Sequence, residues 1–119
     1  MTDFIACLST GKGTWGHVSR LMQAEEWGKV FLVTNSFGKE RFTSEKPFEF
    51  VVVDDTQQME QMIAAIKQQL DGKFTDFEVA VNIFSGSGKE HMALLSAVQQ
   101  LGFGYRLVYL SEDGKVLEL

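Results

Sequence analysis

Strand-like and helix-like hydrophobic patterns alternate along the chain. Short apolar runs rich in β-branched and aromatic residues occupy about 3–8, 29–35, 48–54, 78–84 and 105–110, the length and composition of buried strands. Between them the apolar positions change to helical spacing. Trp15, Val18, Leu21 and Met22 predict a helix over about 14–26, Met59, Met62, Ile63, Ile66 and Leu70 one over about 56–71, and Met92, Leu95, Val98 and Leu101 one over about 88–101. The second and third strands are joined only by a short turn or helix near 37–42 and a segment holding the sole proline, Pro47. Near the end, Asp113-Gly114 favours a tight hairpin turn, and Val116-Leu117-Glu118-Leu119 alternates as a short edge strand.

Strands and helices in strict alternation imply a parallel sheet covered on both faces. The expected fold is α/β: a three-layer, Rossmann-like, mainly parallel sheet with an antiparallel C-terminal edge strand, forming one domain over 1–119. Two strand candidates stop abruptly in small, glycine-rich loops that carry a lysine and run into a helix. The first loop is Ser9-Thr10-Gly11-Lys12-Gly13-Thr14-Trp15-Gly16 and the second Ser85-Gly86-Ser87-Gly88-Lys89-Glu90; together they hold five of the eleven glycines. A bare backbone at the start of a helix exposes N–H groups and the positive end of the dipole, which favours an anion such as phosphate. In an open parallel sheet, ligands bind beyond the carboxyl ends of the strands where the winding reverses. The order 3-2-1-4-5-6 makes the first and fourth strands neighbours at that reversal. It is preferred over the flavodoxin-like order 2-1-3-4-5, which would separate the two loops.

Composition narrows the partners. A formal net charge of −5 and a pI near 4.9 speak against general binding to duplex nucleic acid, which needs a broad cationic face. No apolar run is long enough for a membrane span, and Asp3 near the N-terminus argues against a basic signal-peptide start, so a cytoplasmic protein is expected. The single cysteine, Cys7, lies inside an apolar run and reads as a buried strand residue. One cysteine and two histidines imply no metal site, and no cofactor is implied.

Each motif has a bland reading beside its functional one. Gly11-Lys12-Gly13-Thr14-Trp15-Gly16 satisfies the spacing G-x-G-x-x-G after a strand. However, the second strand ends at Val33-Thr34-Asn35-Ser36 without an acidic residue for a ribose diol, and bulky Trp15 sits within the motif. The second loop is not a phosphate loop of the G-x-x-x-x-G-K-[ST] type, because Ile83 and Glu90 stand at two of its required positions. Ser87-Gly88-Lys89-Glu90 also reads as a capping box. That reading leaves a lysine in the first helical turn, where a cation is unfavourable unless something negative is near. Lys89 is therefore the foremost ligand-contact candidate, followed by Lys12. Ser9, Thr10, Gly11, Gly13, Ser85, Gly86, Ser87 and Gly88 complete the two loops, and Asn35 and Lys39 after the second strand are placed to flank a base or ribose. His17 and His91 each lie near the start of a helix beside a glycine loop. Asn82, polar inside an apolar strand, must find partners and is expected to brace the adjoining loop.

The stretch Val81-Asn82-Ile83-Phe84-Ser85-Gly86-Ser87-Gly88-Lys89-Glu90-His91-Met92, with the later strand Tyr105-Arg106-Leu107-Val108-Tyr109, resembles the fourth-strand motif of CARF domains, the CRISPR-associated Rossmann-fold ligand sensors. Their pattern is an apolar strand with Asn-Ile, then Thr-Gly-Gly-Thr-Lys and a Met-containing helix. The first strand with Ser9-Thr10-Gly11 resembles that family's other ligand-contacting segment. The resemblance implies a homodimer that binds a cyclic oligoadenylate across its two-fold axis, with Ser9, Thr10, Ser85, Gly86, Ser87 and Lys89 around phosphates and riboses. It also implies an alternative, a metal-independent ring nuclease, for which Lys89 and Lys12 are the candidate charge-stabilising residues. Dinucleotide binding and a purely structural or interaction domain are the remaining readings.

Overall fold

The computed structural model describes residues 1–8 and 13–119. Six strands and four helices follow in the order β1 (Asp3–Cys7), α1 (Trp15–Ala24), β2 (Val30–Thr34), α2 (Ser36–Arg41), β3 (Glu49–Val52), α3 (Met59–Leu70), β4 (Glu78–Asn82), α4 (Gly88–Gln100), β5 (Gly104–Leu110) and β6 (Val116–Glu118). They build one sheet of order β3-β2-β1-β4-β5-β6. The first five strands are parallel and β6 returns antiparallel on β5. The expected order and the antiparallel edge are therefore both present.

Alternation along the central strands sends side chains to two cores. Phe4, Ala6 and Leu8 of the first strand segment, with Val30, Leu32 and Ala80, pack under Trp15, Val18, Leu21 and Met22 of α1. Ile5 and Cys7, with Phe31, Val33, Val79 and Val81, pack under Met62, Ile66 and Leu70 of α3 and Ala93, Leu94, Ala97 and Val98 of α4. Because β1 and β2 are buried on both faces, they read as continuous apolar runs. Each of these large side chains contributes roughly 1.5–3 kcal/mol when taken fully out of water. The methionines of the predicted stripes divide accordingly: Met22 and Met62 are core, while Met92 faces solvent. Trp15 belongs to the core as well, its ring edge-on to Phe42 at 5.6 Å.

Element ends move wherever a side chain takes over a backbone partner. β4 stops two residues short of the expected 84 because the Phe84 N–H donates to the Asn82 side-chain oxygen instead of to a neighbouring strand. Likewise α3 begins at Met59 because the Asp54 carboxylate accepts from the Thr56 N–H and hydroxyl, holding residues 54–57 in a turn. On the outer edge of β3, the Gln69 side chain stands in for a missing strand. Its amide nitrogen donates to the Val52 carbonyl at 2.9 Å and its oxygen accepts the Val52 N–H at 3.0 Å, blunting an edge that would otherwise invite another strand. No helix among the described residues is long and apolar enough to cross a membrane.

Candidate functional site

The carboxyl ends of β1 and β4 lie side by side, with Ala6 opposite Asn82. From there the chain winds to β2 on one side and to β5 on the other, so this is where the sheet's winding reverses. The two glycine loops leave the sheet at this point. They are joined directly: the Thr14 hydroxyl, at the entry to α1, donates to the Ser85 hydroxyl at 2.5 Å. Ser85 is 1% exposed. Of the first loop's candidates, Ser9, Thr10, Gly11 and Lys12 lie outside the described residues, and Gly13 and Thr14 form the turn that leads into α1.

The second loop is held from several sides. Asn82 accepts the Phe84 N–H at 3.2 Å and anchors itself by donating to the Val108 carbonyl at 2.8 Å. His91, one turn into α4, donates its Nε2–H to the Ser85 carbonyl at 2.8 Å. Ser87 and Glu90 close a capping box: the Glu90 carboxylate accepts the Ser87 N–H at 3.1 Å and the Ser87 hydroxyl at 2.8 Å, while the Ser87 oxygen accepts from the Glu90 N–H. Gly86 completes the turn at φ +100°, where a side chain would be strained, and an added Cβ would sit 3.2 Å from both the Cys7 Cβ and His91 Nε2. The box uses the N–H groups of Ser87 and Glu90. Those of Gly88 and Lys89, in the first turn of α4, take no acceptor among the described residues.

Lys89 has its own partners. Its ammonium donates to the carbonyls of Asp55 at 2.9 Å and Gln57 at 2.5 Å, clasping the first turn of α4 to the segment that leads from β3 into α3. These carbonyls supply the negative potential that its place in the first turn calls for. Asp54, beside the same clasp and fully exposed, is held below the usual carboxylate range first by its hydrogen bonds from Thr56 and then by the Lys89 charge. Asn35 caps α2, its side chain accepting the Gly38 N–H at 3.1 Å. With Ser36, Val52, Val53, Asp54 and Asp55 it lines an open cavity of about 480 Å³ over the ends of β2 and β3, one strand away from the loop junction. Lys39 is exposed in the last turn of α2, where a cation complements the helix dipole.

The two histidines separate into different tasks. His17 is 8% exposed on α1, with its ring stacked on Phe84 at 4.3 Å and tilted against Tyr109 at 4.7 Å. Burial, and secondarily the Arg20 charge, hold it below the usual histidine range. Cys7 is fully buried, and the loss of solvation, with the Glu90 charge next in size, pushes its thiol far above the ordinary range. It is an inert core residue, as its surroundings in the sequence suggested.

Among the described residues no atom lies within 4 Å of a Cβ added to Gly13 or Gly16, two of the three glycines in the G-x-G-x-x-G spacing, and Gly16 has no positive φ. The tight helix-to-strand packing that calls for glycine in a dinucleotide turn is therefore not seen among the described residues. Thr14 and the His91 brace were not singled out from the sequence as supports of the loop. The capping-box spacing and the polar Asn82 were the signals that pointed toward it.

Compared with known protein families and with functionally characterised proteins, the chain matches no family profile and no individual sequence.

Proposed function

We propose that the protein is a nucleotide-ligand binding module whose site is the junction of the β1 and β4 loops. The observation that carries this reading is the Thr14–Ser85 hydrogen bond at the winding reversal, which ties the entry to α1 to the turn after β4. Around it, the braced Ser85-Gly86-Ser87 turn and the N–H groups of Gly88 and Lys89 offer donors that are already ordered, so little entropy is lost when an anion arrives. The ligand class follows from the CARF-like motif at β4: a cyclic oligoadenylate taken by a homodimer, with Ser9, Thr10, Lys12 and the 85–89 turn around its phosphates. In this reading Lys89 has two engagements, the carbonyl clasp and the ligand phosphate.

The test is a thermal-shift and calorimetric comparison of cyclic oligoadenylates with ATP and NAD. A true ligand at one hundred times its Kd stabilises the fold by about 2.7 kcal/mol, a readily measured rise in Tm. Lys89→Ala is expected to lower the Tm of the free protein by only a few degrees, since the clasp is exposed, and to abolish most of the ligand-induced rise. An undiminished rise would confine Lys89 to the clasp. No rise with any nucleotide would remove the binding reading altogether. Labelled cyclic oligoadenylate incubated without metal separates binding from cleavage.

A further inference from the structure

We propose that His17 is a proton-operated latch on the turn after β4, holding it when neutral and releasing it when protonated. The orientation of the Asn82 amide is fixed by two backbone groups whose roles are not interchangeable. Its oxygen accepts the Phe84 N–H at 3.2 Å and its nitrogen donates to the Val108 carbonyl at 2.8 Å. The same nitrogen lies 3.3 Å from His17 Nε2. With the nitrogen a donor, Nε2 must accept through its lone pair, so Nε2 carries no proton and the neutral imidazole has its single proton on Nδ1.

Protonation at Nε2 sets an N–H against the amide N–H₂. The amide can satisfy an imidazolium only by turning its oxygen toward the ring, and that strips the partners from both the Phe84 N–H and the Val108 carbonyl. The Phe84 ring, stacked on His17 and edge-on to Tyr109 at 5.5 Å, moves with its backbone. The groups facing His17 offer its cation two aromatic faces, Phe84 and Tyr109, but no hydrogen-bond acceptor among the described residues in place of the amide. Arg20 on its own helix is positive, Tyr109 from β5 presents an uncharged ring, Asn82 presents donors, and no carboxylate among the described residues acts on it. His91 contrasts with it in facing an acceptor, the Ser85 carbonyl, to which its Nε2 donates.

Since the folded protein holds His17 below its ordinary value of 6.5, the unfolded chain takes up the proton first as pH falls. The stability linked to the neutral ring is complete above about pH 6.5 and declines from there through the folded-state pKa. The latch concerns the turn itself and holds whether or not that turn binds a nucleotide, so its test uses the ligand-free full chain. In an NMR titration from about pH 7.5 to 4.5, the His17 ring is expected to titrate below the ordinary histidine range. The backbone amide of Phe84 and the Asn82 side-chain N–H₂ should shift with the same midpoint. His17→Phe keeps an aromatic ring against Phe84 and should flatten both those shifts and the decline in Tm between pH 7 and 5. Phe84 and Asn82 signals that stay still while His17 titrates overturn the latch; the wild-type titration decides this even if the variant fails to fold.

Discussion

Replacing Asp3 with alanine is expected to lower the stability of the fold by about 3–4 kcal/mol, the largest loss from any single polar side chain described here. Asp3 opens β1 and is 1% exposed. Its carboxylate accepts the Lys29 N–H at 2.7 Å on one oxygen and the Thr75 N–H at 2.7 Å on the other, and it also takes the Thr75 hydroxyl at 2.9 Å. These bonds tie the segment before β2 and the segment before β4 to the central strand, at the end of the sheet opposite the glycine loops. Alanine leaves two backbone donors without their acceptor, and each hydrogen bond to a charged group contributes about 1.5–3 kcal/mol. At about 4 °C per kcal/mol for a domain of this size, the Tm should fall by about 12–16 °C. Asp3→Asn is the sharper control. It keeps the shape, yet whichever way the amide lies its N–H₂ faces a backbone N–H, so asparagine should recover little of the loss. Chemical denaturation of the three proteins reads this directly, and an asparagine variant as stable as the parent would show that one acceptor suffices.

Asp3 also illustrates where legibility in the sequence ends. Its partners lie 26 and 72 residues away, and no local pattern announces them; from the sequence it is merely a charge near the N-terminus. The sheet order was legible for the opposite reason. Alternating periodicity is a local signal, and the placement of glycine after the first and fourth strands was enough to choose among topologies. The capping box at Ser87 and Glu90 was legible because it lies within four consecutive residues. Lys89 was half legible: its unfavourable place in the first turn is local, but the carbonyls that relieve it belong to Asp55 and Gln57, more than thirty positions away. His17 and His91 look alike in the sequence, each shortly after a glycine loop, and only the identity of the facing group, an amide donor or a carbonyl acceptor, sets them apart.

Two glycines separated by one serine are expected to answer alanine substitution in opposite ways, and the difference locates the ligand. Gly86→Ala forces a side chain to φ +100° and drives its Cβ to 3.2 Å from the Cys7 Cβ and His91 Nε2. The backbone strain alone costs about 1–3 kcal/mol, and the displaced imidazole weakens its bond to the Ser85 carbonyl, so a Tm loss of about 8–12 °C is expected. Ligand binding should fail with it, because the braced turn no longer has its shape. Gly88, the first residue of α4, has an ordinary φ and, among the described residues, nothing within 4 Å of an added Cβ. Alanine there restricts the unfolded chain and suits a helix, so the free protein should keep its Tm or gain up to about 1 kcal/mol. The described residues therefore give no steric reason for glycine at 88, whereas a phosphate resting on the first turn of the helix does. Loss of nucleotide-induced stabilisation in Gly88→Ala, with the free protein at full Tm, would mark that turn as a surface a ligand touches. Undiminished stabilisation would move the contact away from α4 and onto the loop that follows β1.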